Sequence, residues 1–118
     1  MFLVLFVLHE TDFFDEILAA WEGAGVSGIT ILPSTGLARL RESMALRDDI
    51  PIFPSLEDFQ NHGENQNRTL FTVVPTEEMA DKVVAATQAV TGDLNLPNTG
   101  ILVVIPVLKA YGLNRKSQ

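Results

Sequence analysis

Residues 2–32 read FLVLFVLHETDFFDEILAAWEGAGVSGITIL, and this stretch decides the fold class. Phe2 to His9 is a continuous run of Phe, Leu and Val closed by a histidine, the pattern of a strand covered on both faces or lying in a tight sheet core. Thr11 or Asp12 then stands where a helix cap is expected, because a short side-chain oxygen there can accept from the first free backbone N–H groups. Phe14, Ile17, Leu18 and Trp21 recur at the i, i+3, i+4 and i+7 positions of one helical stripe, and Gly23 and Gly25 stop the helix. Ile29 to Leu32, rich in β-branched residues and bounded by Gly28 and Pro33, reads as a second strand. The short link from helix to strand makes the two neighbours in space.

The same unit returns later in the chain. Thr69 to Val74 predicts a third strand, and Thr76 caps a second helix whose apolar stripe is Met79, Val83, Ala86 and Val90. Glu77 and Glu78 favour the positive end of its dipole, and Gly92 ends it. Asp93 to Gly100, with Pro97 and Asn98, is a turn-rich loop before an apolar fourth strand from Ile101 to Leu108. Between the halves lies an excursion from Ser34 to Arg68, broken by Pro51, Pro54, Gly63 and the polar string Asn61 to Asn67. Within it Leu37 to Arg47 predicts an amphipathic helix, and Ser55-Leu56-Glu57-Asp58 the capped start of a shorter one. A structureless loop of that length is unusual inside a domain, so the excursion is expected to be partly ordered or functional.

Two strand-helix-strand units in series predict an α+β domain of the ferredoxin-like βαββαβ kind: a four-stranded antiparallel sheet with two helices on one face. The 118 residues fit one domain, residues 1–118. Hydrophobic residues make up 47% and charged residues 19%, more apolar than one monomer's surface requires, which suggests that copies associate and cover the second sheet face. No cysteine is present, so disulfides, thiolate catalysis and cysteine-bound metals are excluded. A formal charge of -7 repels phosphate backbones and anionic lipid, so nucleic acid is not expected as a partner. Met1 to Leu8 is too short and lacks the basic flank for a signal peptide or a membrane span, and a cytoplasmic protein without membrane insertion is expected.

Each cluster with chemical potential also has a plain structural reading. His9 and His62 could hold a metal with Glu10 or Glu64, but without tight spacing they read as a strand end and a solvated side chain. Asp12, Asp15, Glu16 and Glu22 read as the capped start and wet face of the first helix. Trp21, Phe13 and Phe14 have the spacing of core residues. Ser34, Thr35 and Ser43 have no histidine at a suggestive spacing. Arg39, Arg41 and Arg47, on the expected excursion helix, suit either anion binding or solubility. No catalytic residue is assigned, and the chain is not expected to be an enzyme.

Gly25-Val26-Ser27-Gly28-Ile29-Thr30-Ile31, followed by Gly36-Leu37-Ala38-Arg39, resembles the nitrogen-regulatory PII family of signal-transduction proteins. Thr91-Gly92 stands where that family opens its B-loop, Pro106-Val107 follows the last strand as it does there, and the excursion lies where the family carries its long T-loop. The resemblance implies a homotrimer whose sheets pack about a central axis, with an adenine nucleotide such as ATP or ADP bound as effector in the clefts between subunits. It also implies that the excursion reports the ligand to a target protein. Carried over by position, Thr30 lies near the base, Gly36 and Arg39 face phosphates at the T-loop base with Ala38 between them in the binding segment, and Thr91 and Gly92 open the B-loop. Glycine-rich turns suit this role because they expose backbone N–H groups to anions.

The departures bear on the ligand. The family's Gly-Asp-Gly-Lys is replaced by Asp93-Leu94-Asn95-Leu96, and the arginine-bearing segment after the last strand by Lys109, Tyr111, Gly112 and Asn114. A triphosphate without charge-assisted donors is hard to desolvate, which favours a different or more weakly held effector. Tyr111 is the only tyrosine, so the excursion has none to modify. Two alternatives share the fold: a trimeric divalent-cation-binding protein of the CutA kind, and a small ferredoxin-like enzyme with its pocket on the open sheet face. The strands carry few polar side chains for the second.

Overall fold

The computed structural model describes residues 1–37, 66–97 and 99–113. Within them the chain runs β1 (Phe2–Leu8), α1 (Phe14–Gly23), β2 (Thr30–Thr35), β3 (Gln66–Val74), α2 (Glu77–Thr91) and β4 (Gly100–Pro106). The four strands form one sheet in the order β2-β3-β1-β4, and every neighbouring pair is antiparallel. This is the ferredoxin-like α+β arrangement, with the most apolar strand, β1, in the interior and the proline-bearing β2 at an edge.

Alternation along β1 separates the two faces of the sheet. Val4, Phe6 and Leu8 are fully buried, and Leu70 and Val74 of β3 stand opposite Phe6 and Phe2 on the same side. Ile17 and Trp21 of α1 and Ala80 and Val83 of α2 close over them as one core cluster. The apolar stripe of α2 is turned from its expected centre: Ala80, Val83 and Thr87 are its buried residues, while Met79 and Val90 flank the core. Thr87 can lie there because its hydroxyl is satisfied twice. The indole N–H of Trp21 donates to its Oγ1 at 2.8 Å, and that hydroxyl donates to the Val83 carbonyl at 2.7 Å.

Several boundaries differ from the sequence reading, each for a local reason. β2 runs on through Pro33 to Thr35, because an edge strand needs no second ladder of hydrogen bonds and so tolerates a proline. β3 begins at Gln66, since pairing with β2 carries the polar residues before Thr69 into the sheet. β4 ends at Pro106 and does not reach Leu108. The excursion therefore narrows to 36–65. Neither Thr11 nor Asp12 caps α1 through its side chain: a 3-10 turn, Thr11–Phe13, precedes the helix, and the Phe13 N–H donates to the Glu10 carbonyl at 3.1 Å. The two helices expected at Leu37 to Arg47 and after Ser55 lie outside the described residues, Leu37 apart.

At α2 the cap forms as expected. Thr76 has extended backbone and its Oγ1 accepts the Met79 N–H at 3.1 Å. Thr76→Ala is expected to lower the unfolding free energy by about 0.5–2 kcal/mol in urea titrations, with Thr76→Ser close to wild type. Among the described residues no helix is long and apolar enough to cross a membrane.

Candidate functional site

The face of the sheet turned away from the helices is the unusual surface of this domain. Register places Thr30, Phe71, Leu5 and Val103 in one row across it, and Leu32, Thr69, Val7 and Ile101 in the next. Leu32 is 48% exposed, Ile101 56% and Ile105 45%, all on this side. Contiguous apolar surface of this kind marks an interaction site more often than a solvated wall.

Its polar groups gather at one end, where β2 ends and β3 begins. The Thr69 hydroxyl donates to Ser34 Oγ at 2.8 Å. Asn67, only 2% exposed, stands opposite Ser34, and a Cβ on Gly36 would lie 3.7 Å from its Nδ2. Arg68 alternates to the other face, where its guanidinium sits 5.9 Å from the centre of the Phe14 ring and a Nη1 N–H reaches the Asn67 carbonyl at 3.4 Å. The trio Ser34, Asn67 and Thr69 went unrecognised in the sequence, where Asn67 belongs to a polar string. The period-two alternation that continues from β3 back to Asn67 was the available signal.

The residues expected to bind an effector fall at three places. Thr30 opens β2 and is exposed on the apolar face. Gly36 directly follows β2. Thr91 is the last residue of α2, its hydroxyl within reach of the Thr87 carbonyl at 3.2 Å and the Gly92 carbonyl at 2.9 Å. Gly92, at φ +84, closes the helix and donates its N–H to the Gln88 carbonyl at 2.9 Å. Ala38 and Arg39 lie outside the described residues, as do His62 and Glu64.

Gly36 and the Thr91-Gly92 pair share one end of the sheet, the end where Leu8 pairs with both Arg68 and Gly100. Gly36 directly follows the edge strand β2, whereas α2, which ends in Thr91-Gly92, packs over the interior strands β1 and β3 on the helix side of the sheet. Thr30 stands at the opposite end of β2 from Gly36, about 20 Å away along the strand at the usual rise per residue. One protomer does not bring the expected site together.

The loop after Gly92 spends its own donors. The Leu94 N–H goes to Gln88 Oε1 at 3.1 Å, the Asn95 N–H to the Asp93 carboxylate at 2.9 Å and the Leu96 N–H to the Asp93 carbonyl at 3.1 Å. The Thr99 hydroxyl reaches back to the Leu94 and Leu96 carbonyls. The Asp93 carboxylate thus takes the Asn95 N–H, a donor that a loop of this kind could otherwise turn toward a phosphate. No group of three or more His, Cys, Asp and Glu comes together among the described residues. No family model matches the chain, and no curated protein matches it.

Proposed function

We propose that the chain is a PII-like regulatory subunit whose copies form a trimer, bind a small effector where two copies meet, and contact a target protein through the segment between β2 and β3. The observation that carries this reading is the placement of Gly36 and Thr91-Gly92 at the same end of a sheet whose other face is apolar and open. The sequence resemblance and the βαββαβ topology point the same way, and neither requires catalysis.

The closed hydrogen bonding of the Asp93 loop bears on the effector. A ligand with fewer charges suits it better than a triphosphate, because each unmatched charge brought into the cleft adds desolvation and repulsion from Asp93. ADP or a cyclic adenine nucleotide is therefore expected to bind more tightly than ATP. Light scattering on a sizing column, followed by calorimetric titration with the three nucleotides, tests the reading. A trimer with saturable nucleotide binding supports it, and a monomer that gives no heat with any of them removes it.

A further inference from the structure

Beyond β4 the chain turns from apolar interior to apolar arm. The Val107 N–H still donates to the Met1 carbonyl at 3.0 Å, and from there the chain leaves the sheet. Leu108 is 91% and Tyr111 88% exposed, the two most exposed large apolar side chains among the described residues, and Leu113 is 46% exposed. The nearby outer row of the bare face, Ile101, Val103 and Ile105 on β4, is likewise open, so arm and row leave one another uncovered within the protomer. Seven residues, 107–113, span about 23 Å when extended, the length of a seven-residue strand such as β4.

Charge separates the arm from the body as well. Residues 107–118 contain Lys109, Arg115 and Lys116 and no acid, so of the chain's eight basic and fifteen acidic residues the first 106 keep five and all fifteen. Lys109 within residues 107–113, with Arg115 and Lys116 just beyond them, is attracted to another copy of the acidic body at the ionic strengths where such fields persist.

We propose that residues 107–113 form an arm that lies along β4 of the neighbouring copy, seating Leu108 and Tyr111 against Ile101, Val103 and Ile105 in the seam between subunits. The proposal rests on the self-association proposed above and names the segment that closes the seam. Three sheets turned toward a common axis cover the middle rows, Leu5 and Phe71 among them. The outer β4 row is what an arm handed to the next copy covers. Such a contact is heterologous, and three of them close into a ring.

The absence of cysteine makes the test clean. Tyr111→Cys and Val103→Cys chains, purified separately and refolded together, can join only between copies. Oxidation is expected to give a dimer band on a non-reducing gel, and a chain carrying both substitutions is expected to give dimers and trimers. A Leu96→Cys chain, exposed but on the loop before β4, replaces the Val103 variant as the control and is expected to stay at least about tenfold less cross-linked, since a disulfide needs Cα atoms within about 7 Å. A trimer by light scattering without the mixed cross-link overturns the arm and leaves self-association standing. A cross-link confined within single chains of the double variant overturns the exchange and shows the arm folding onto its own face. A monomer by light scattering overturns both.

Discussion

Replacing Trp21 by alanine is expected to lower the unfolding free energy by about 3–5 kcal/mol, a large part of the roughly 5–15 kcal/mol that holds a domain of this size together. Trp21 is fully buried and is the largest side chain in the core, where it lies between α1 and α2. Its removal takes away both the transfer of the ring from water and the packing of its neighbours, which can collapse only in part around the void. The hydrogen bond separates this from a generic cavity. Thr87→Val keeps volume but removes the acceptor of the indole N–H, so it is expected to cost about 1–3 kcal/mol as an unsatisfied buried donor. Trp21→Phe removes that donor, so adding Thr87→Val to it is expected to cost much less than Thr87→Val alone. Urea titrations followed by far-ultraviolet circular dichroism read all four variants without relying on the tryptophan. Additive costs would show that the bond contributes nothing of its own.

That bond also marks where sequence reading stops. The stripe Phe14, Ile17, Leu18 and Trp21 was legible as a core face, because 3.6-residue periodicity is local. That the indole would meet Thr87 was not, since the partner is 66 residues away and reads as an unremarkable polar residue within a helix. Register likewise comes from pairing between distant strands. Pro33 read as the end of a strand because a proline ends an interior strand, and only the edge position of β2 lets the strand continue. The order β-α-β twice over was enough to give the sheet, its antiparallel pairing and the side on which the helices lie.

The candidate site was legible in its parts and not in its arrangement. Gly36, Thr91 and Gly92 each stand at the end of an element, where a glycine or threonine is readable as a cap or a turn. How these residues sit relative to one another follows from strand order and from where α2 packs, which no single segment encodes. The hydrogen bonds that close the Asp93 loop were hidden for a different reason. Asp93 and Asn95 are ordinary turn residues, and the sequence does not say whether their N–H groups face inward to the protein or outward to a ligand.

Gly100→Ala is expected to be about as damaging as the loss of the core tryptophan, although it adds one methyl group and removes nothing. Gly100 starts β4 at φ +138, a conformation that other residues adopt only with strain. A Cβ there would fall on the Val7 carbonyl oxygen and 2.8 Å from Cε1 of Phe6, which is fully buried. The carbonyl belongs to the central strand and cannot move without opening the ladder where Leu8 pairs with Gly100. The ring cannot move without disturbing the core. Strain of about 1–3 kcal/mol and overpacking of about 1–3 kcal/mol act together, giving an expected loss of about 2–6 kcal/mol. Gly92→Ala is the matched control, because Gly92 also has positive φ, at +84, but nothing within 4 Å of the added carbon. It is expected to lose about 1 kcal/mol, the conformational part alone. If urea midpoints place the two variants together, the close approach of β1 to β4 is not what requires glycine at position 100. If Gly100→Ala is much the weaker, the meeting of Val7, Phe6 and Gly100 is the contact that fixes where β4 begins, and with it the height at which the Thr91-Gly92 turn stands beside the sheet.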